Sequence, residues 1–256
     1  MIFISDVHHK IEFLEKLPKN KGPVVILGDL INWIDYRNGE GIARDVFGLE
    51  NVLKLIEYRK QHLFEKRKLL WSELYANNPD QIQKSIKDAI DKQYNEVFKS
   101  LKNFEVWFIP GNVDDLHTLK NFESEKIKNV DNSIINTKFG KIGFAGGGVP
   151  TLINARGEIS ELEFQQKLGG LKGVDIICTH APPKVSPLIT DVVTNKTEQG
   201  WDSLVEFIKE NKPTFSLFGD VHQPQASEWF IKKTKCINVG YFRATNQYLE
   251  LTSLYI

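Results

Sequence analysis

Five short apolar runs punctuate the chain, at residues 2–5, 24–27, 106–109, 175–179 and 215–218, and each ends abruptly in polar residues. Runs of this length bounded by turn-forming residues predict buried strands. Between them, apolar residues recur three and four positions apart, as over 11–17 and at Trp201, Leu204, Val205 and Ile208. That spacing predicts helices, and the alternation predicts βα units around a largely buried sheet. Residues 134–139 and 142–145, joined by Gly140-Lys141, predict a hairpin. A similar pattern at 236–239 and 248–251 predicts a second sheet that is mixed or antiparallel.

The stretch from about 49 to 104 breaks this rhythm, being long, charged and helical in period. Ile82, Ile86, Ile90, Val97 and Leu101 share one face, as do Val52, Ile56, Leu63, Leu70 and Leu74. The two runs meet at Asn77-Asn78-Pro79-Asp80, where Asn78 is placed to cap the second helix and Pro79 to open it. The expectation is a helical hairpin inserted between two strands of a single domain spanning 1–256. It packs its apolar stripe on the domain, with dimerisation or a substrate cap as the alternative roles.

Composition narrows the class further. A chain of 256 residues, 41% hydrophobic and 26% charged, has the material for one large core. Lys and Arg balance Asp and Glu at 33 each, so no excess charge favours nucleic acid or anionic lipid as a partner. Cys178 and Cys236 form no CxxC pair, which removes a disulfide framework or zinc ribbon and predicts packed, reduced thiols. No apolar run approaches a membrane span, and the chain opens on a strand-like segment instead of a leader, which predicts a cytoplasmic protein.

The chemistry sits at the ends of the predicted strands: Asp6 and His8, Asp29, Asn112, His180, and Asp220 with His222. In open α/β sheets, sites form beyond the carboxyl ends of strands, so five strand ends aim at one place. Asp6 and His8 are two apart, as are Asp220 and His222, which puts each pair on one side of an extended segment. Gly28 and Gly111 precede Asp29 and Asn112 and allow tight corners. Imidazole nitrogen mixed with carboxylate and amide oxygen suits Mn, Fe or Zn. Taken singly, each signal is an ordinary turn or a hydrogen-bonded core histidine; taken in order, the set is specific.

In that order, the chain resembles the calcineurin-like metallophosphoesterases, whose pattern runs DxH, GDxxD, GN(H)D/E, H, GHxH. It carries Asp6-Val7-His8, Gly28-Asp29-Leu30-Ile31-Asn32, Gly111-Asn112-Val113-Asp114, Thr179-His180-Ala181-Pro182-Pro183 and Gly219-Asp220-Val221-His222. The His-Ala-Pro-Pro run and Gly146-Gly147-Gly148 look like the Icc-related branch. The resemblance implies an α/β fold, a four-layer αββα sandwich of two mixed sheets flanked by helices, with the helical hairpin inserted. It implies two divalent metal ions: Asp6, His8, Asp29 and His222 at one, Asn112, His180 and Asp220 at the other, and Asp29 bridging. Asp29, Asn112 and His180 then serve catalysis as well, and the reaction implied is in-line attack of a metal-bridging hydroxide on a small phosphate ester.

Departures from the pattern refine this expectation. Asp220 replaces the first His of GHxH, which adds a negative charge and tilts preference towards Mn or Mg; Mn is favoured, with Fe, Mg or Zn as alternatives. Val113 stands where many members of the resembled family carry a His that helps protonate the leaving group or contacts the phosphate, which favours a phosphodiester over a monoester. His9 and His117 are substitute acids or plain surface residues. Asn32 and Asp114 are placed to orient ligands, the glycines at 146–148 to form a turn or admit a phosphate, and Lys184 and Arg156 to touch substrate or solvent. Beside the small phosphate ester, a homodimer through the hairpin is the further partner considered, and the competing expectation is a weakly active or non-catalytic interaction protein that keeps the fold and uses the hairpin as its binding surface.

Overall fold

The computed structural model describes residues 1–151 and 155–252. Two sheets carry the architecture. In the first, β1 (Ile2–Ile4), β2 (Val24–Leu27), β3 (Val106–Ile109) and β4 (Ile127–Asn129) run parallel. The second is built from β5 (Ser133–Thr137), β6 (Gly140–Ala145), β7 (Ile176–Thr179), β10 (Phe215–Phe218), β11 (Glu228–Ile231) and β12 (Thr234–Asn238). There β6, β7, β10 and β12 are parallel, while β5 and β11 are antiparallel edges. The short pair β8 (Thr190–Asp191) and β9 (Lys196–Thr197) forms a separate ribbon, and β13 (Leu249–Glu250) pairs antiparallel with β1.

Side-chain alternation along the strands explains the layers. Ile2, Ile4, Val24, Ile26, Val106 and Phe108 face helices, whereas Phe3, Val25, Leu27, Trp107 and Ile109 face the other sheet. From the second sheet, Phe144, Ile176, Cys178 and Leu217 fill the inter-sheet layer, and Ile177, Phe218 and Cys236 turn outward. Three apolar layers result, and with them the four-layer αββα sandwich.

The first sheet is covered by α1 (Ile11–Leu14), α2 (Ile42–Phe47), α3 (Leu49–Lys60), α4 (Phe64–Ala76) and α5 (Pro79–Ser100), and α6 (Leu116–Leu119) follows β3. Over the second lie α7 (Glu161–Gly169) and α9 (Asp202–Asn211), α7 starting in a Ser160–Glu163 capping box. The short α8 (Ser186–Ile189) and α10 (Phe242–Thr245) complete the set.

Several expectations change in detail. The insertion contains three helices, not two. The first run breaks at 61–63, where His62 takes a φ of 56°; on α4, Leu74 still packs half-buried against the core that holds Val52 and Ile56, whereas Leu63 and Leu70 are half-buried outside it. Asn78 does not cap: its side chain donates to Gln81 Oε1 at 2.7 Å, though Pro79 does open α5. The hairpin turn is Lys138-Phe139, since Gly140 already pairs with Thr137. Residues 236–239 and 248–251 do not pair: β12 joins the second sheet and β13 the first. The sequence pattern marks strands but leaves their partners open.

Candidate metal centre

The carboxyl ends of β1, β2, β3, β7 and β10 converge on one buried spot, because both sheets keep these strands parallel. There His8 Nε2 lies 3.9 Å from Asp6 Oδ1 and 3.5 Å from Asp29 Oδ2. His180 Nε2 lies 3.5 Å from Asp29 Oδ1 and 3.7 Å from Asp220 Oδ1. His222 Nε2 is 3.6 Å from Asp6 Oδ1. Two groups thus have metal-holding geometry, Asp6 with His8 and His222, and Asp6 with Asp29 and His180. Asp29 turns one oxygen to each histidine.

Two of the three imidazoles are oriented from behind. His8 Nδ1 and His180 Nδ1 face the backbone oxygens of Ile31 and Leu27 at 3.2 and 2.7 Å, leaving Nε2 of both for the site. Asp6, His8, Asp29 and Asp220 hold φ angles of 56°, 40°, 56° and 66°. Left-handed backbone in non-glycine residues costs on the order of 1 kcal/mol each and persists where the surroundings impose it.

Four buried polar atoms here have no hydrogen-bond partner: Asp6 Oδ1, His8 Nε2, Asn112 Oδ1 and His180 Nε2. They are four of only seven such atoms among the described residues, so the unsatisfied polarity gathers where ligands are expected. Orphaned carboxylate, amide and imidazole atoms aimed together are the donor set of a borderline divalent cation. The residues present therefore fit metal ions.

Charge follows the same logic. Burial would lift the Asp6 carboxyl, but His222, His180 and His8 outweigh it and hold it at about 2. Burial pushes Asp29 up to about 8, with repulsion from Asp114, Asp6 and Asp220 adding to it against the pull of His180. His180 would fall on burial, yet Asp29, Asp220 and Asp6 lift it to about 9. Burial and then His222 lower His8 to about 3.

The supporting shell joins Asp114, the end of the Gly-Asn-Val-Asp motif, to residues of α5 that no motif announces. Asp114 is wholly buried and accepts from the backbone N–H of Asp29 at 2.8 Å, Leu30 at 3.1 Å and Gly111 at 2.8 Å, tying two ligand loops together. Helix α5 grips the loops from the other side. Tyr94 Oη donates to Asp114 Oδ1 at 3.1 Å and accepts from Asp115 N at 2.8 Å, Gln93 Oε1 accepts from Asn32 N at 2.7 Å, and Glu96 Oε2 meets His9 Nε2 at 2.6 Å.

The remaining candidates separate. No hydrogen bond links the Asn32 side chain to a ligand among the described residues; its backbone does the tying. Gly148 packs on Asn112 and donates its N–H to the Gly157 carbonyl, while Gly157 donates to the Asn112 carbonyl, which makes the glycines a structural brace for that loop. Lys184 pairs with Asp202 at 2.6 Å and Arg156 with Asp115 at 3.1 Å. His117 is exposed on α6.

The sequence model of the calcineurin-like phosphoesterases matches residues 1–224. The chain belongs to that family. No curated protein matches it. Among solved structures, one superposes with a TM-score of 0.59 at 13% identity over 94% of this chain and 90% of its own. TT1561 of Thermus thermophilus superposes with a TM-score of 0.52, again at 13% identity, over 97% of this chain and 96% of its own. At such identity the likeness is one of fold. Membership in the calcineurin-like phosphoesterases carries metal-dependent hydrolysis of small phosphoesters with divalent metals. No helix among the described residues of this phosphoesterase is long and apolar enough to cross a membrane.

Proposed function

We propose that the protein is a binuclear phosphodiesterase, with Asp6, His8, Asp29 and His222 holding one divalent ion, Asn112, His180 and Asp220 a second, and Asp29 shared. The observation that carries this reading is the gathering of four orphaned ligand atoms around a carboxylate that faces both histidines. Two ions held there, Mn favoured, supply Lewis acidity and lower the pKa of the attacking water. The chain's own residues fix the geometry: Leu27 and Ile31 orient the imidazoles, and Asp114 locks the Asp29 and Asn112 loops. Asp29, Asn112 and His180, nearest the reacting group, double as catalytic residues.

Val113 favours a diester. It donates its backbone N–H to Asp29 Oδ1 at 3.1 Å, so its side chain stands beside the ligands with no proton to give. General acid help is worth about 10²–10⁴-fold and matters most for alkoxide leaving groups. The buried free thiols of Cys178 and Cys236 support a reducing, cytoplasmic setting. Exposed Leu53, Phe64 and Leu69 on α3 and α4 support self-association through the insertion.

The test is hydrolysis of bis(p-nitrophenyl) phosphate and p-nitrophenyl phosphate with Mn, Mg, Zn or no metal, with Asp29→Asn as the blank. Mn-dependent turnover of the diester, absent in the variant, is the expected result. No turnover of either ester with any metal would leave the non-catalytic scaffold as the better reading.

A further inference from the structure

The rim of the metal centre carries a guanidinium that is built in. Arg37 lies on the loop that follows Asp29 and Asn32, and its Nε and Nη2 donate to Asp35 Oδ1 and Oδ2 at 3.0 and 2.9 Å. Nη2 also donates to the Tyr241 hydroxyl at 2.6 Å. The Tyr241 ring in turn stacks on His222, with 3.7 Å between centroids and 1° between planes. The fork is thus fixed from two sides, yet the side chain is 60% exposed, and Nη1 has no hydrogen-bond partner among the described residues. Asp35 is shared, because the same carboxylate accepts from Arg243 Nε and Nη2 at 3.3 and 3.1 Å, while Arg243 Nη2 also donates to Glu40 Oε2 at 3.1 Å.

One residue earlier, the Tyr36 ring supports a second guanidinium, Arg59 of α3, whose Cζ is 3.8 Å from the ring centroid. Arg59 is half-buried, and no ion pair engages it among the described residues. Held by the ring and not by a close ion pair, the Arg59 guanidinium keeps its donors available to an anion. The Glu198 carboxyl lies in the field of both groups: burial and then Asp220 raise it, while Arg59 and His222 pull it down.

Cations at the rim change which ester suits the site. With Val113 unable to protonate a leaving group, an alkoxide departs unaided. A leaving phosphate needs no proton at neutral pH and gains from positive charge at its bridge oxygen. We infer that Arg37 and Arg59 form a second anion subsite beside the metal centre, and that the substrate is a diphosphate diester, attacked at one phosphorus while the arginines hold the other. This rests on the phosphoesterase reading above. The oxygen of water forms the new bond to phosphorus, and the bond from that phosphorus to the bridge oxygen breaks. Its electron pair stays on the bridge oxygen of the departing phosphate monoester, and the two protons of water pass to the product phosphates and solvent.

The test gives the Mn-loaded protein di(adenosine-5′) diphosphate and adenylyl-3′,5′-adenosine, which share their bases and differ in leaving group. The expected kcat/KM is at least about 100-fold higher for the diphosphate. Arg37→Ala and Arg59→Ala each lower that value about tenfold or more, while Arg44→Ala, at an exposed position on α2, does not. Calorimetric titration with methylenebisphosphonate and methylphosphonate reads the subsite without turnover, and the preference for the bisphosphonate should shrink in Arg37→Ala. Equal rates on the two dinucleotides, or equal loss of both phosphonates in the variant, would overturn the subsite and leave the phosphoesterase reading standing. Arginine-dependent bisphosphonate binding without turnover of bis(p-nitrophenyl) phosphate would keep the subsite and remove that reading instead.

Discussion

Gly111 sits where the site has no room for a side chain. A Cβ there would overlap Asp29 Oδ1 and fall 2.5 Å from Asp29 N, so the Asn112 loop approaches the shared carboxylate only because position 111 has no side chain. Gly219 plays the same part against Ser5 and Asp6 Oδ2. Gly111→Ala should push Asp29 aside, lowering Mn affinity at least about tenfold and stability by about 1–3 kcal/mol. Calorimetric Mn titration and thermal unfolding measure the two effects, and an unchanged Mn affinity would count against the place given to Asp29 between the two ligand groups. At this scale the sequence was informative: Gly-Asp, Gly-Asn and Asp-x-His announce corners and pairs from neighbours one or two positions away. Val113 and Asp220 were equally visible as departures, and Asp220 indeed turns its carboxylate towards His180.

At the scale of the element, α5 links the insertion to the chemistry. Its apolar stripe buries Ile86, Ile90 and Val97 on the first sheet, which the helical period foretells, and Phe98 joins them. Its polar contacts were not legible, because Gln93, Tyr94 and Glu96 meet partners 61, 20 and 87 residues away, and no local pattern encodes such pairings. Neither was the break at 61–63 legible, since α4 meets the core only through half-buried side chains such as Trp71 and Leu74, and so its apolar spacing is weakly constrained by packing. Tyr94→Phe keeps the fully buried ring beside Phe98 and Phe122 but strips a hydrogen bond from Asp114 and another from Asp115. The expected loss is about 1–3 kcal/mol of stability, together with about tenfold or more in Mn affinity because the Asp29 and Gly111 turns loosen. A variant that loses stability but binds Mn as tightly as wild type would reduce α5 to packing alone.

At the scale of the molecule, the sandwich drives the carboxylates of Asp6, Asp29, Asp114 and Asp220 to one end of two sheets, and burial opposes their charge. Without ions the site relieves this with protons: Asp29 rises to about 8 and His180 to about 9. Both pKa values exceed those of the unfolded chain, so the folded state holds more protons, and its stability falls as pH rises towards them. For His180 the contribution is complete below its unfolded value of 6.5 and is lost as pH passes about 9. Metal ions need the same atoms deprotonated, so their affinity rises over the same interval. The two trends oppose each other: chelator-treated protein should melt at lower temperature at pH 9 than at pH 6.5, while excess Mn should add more to the melting temperature at pH 9 than at pH 6.5. Thermal unfolding at both pH values, with Mn and with chelator, measures that gap. A gap that stays constant or narrows as pH rises would mean that protons and metal do not compete for the Asp29 and His180 atoms, and the ligand assignment would have to move away from them.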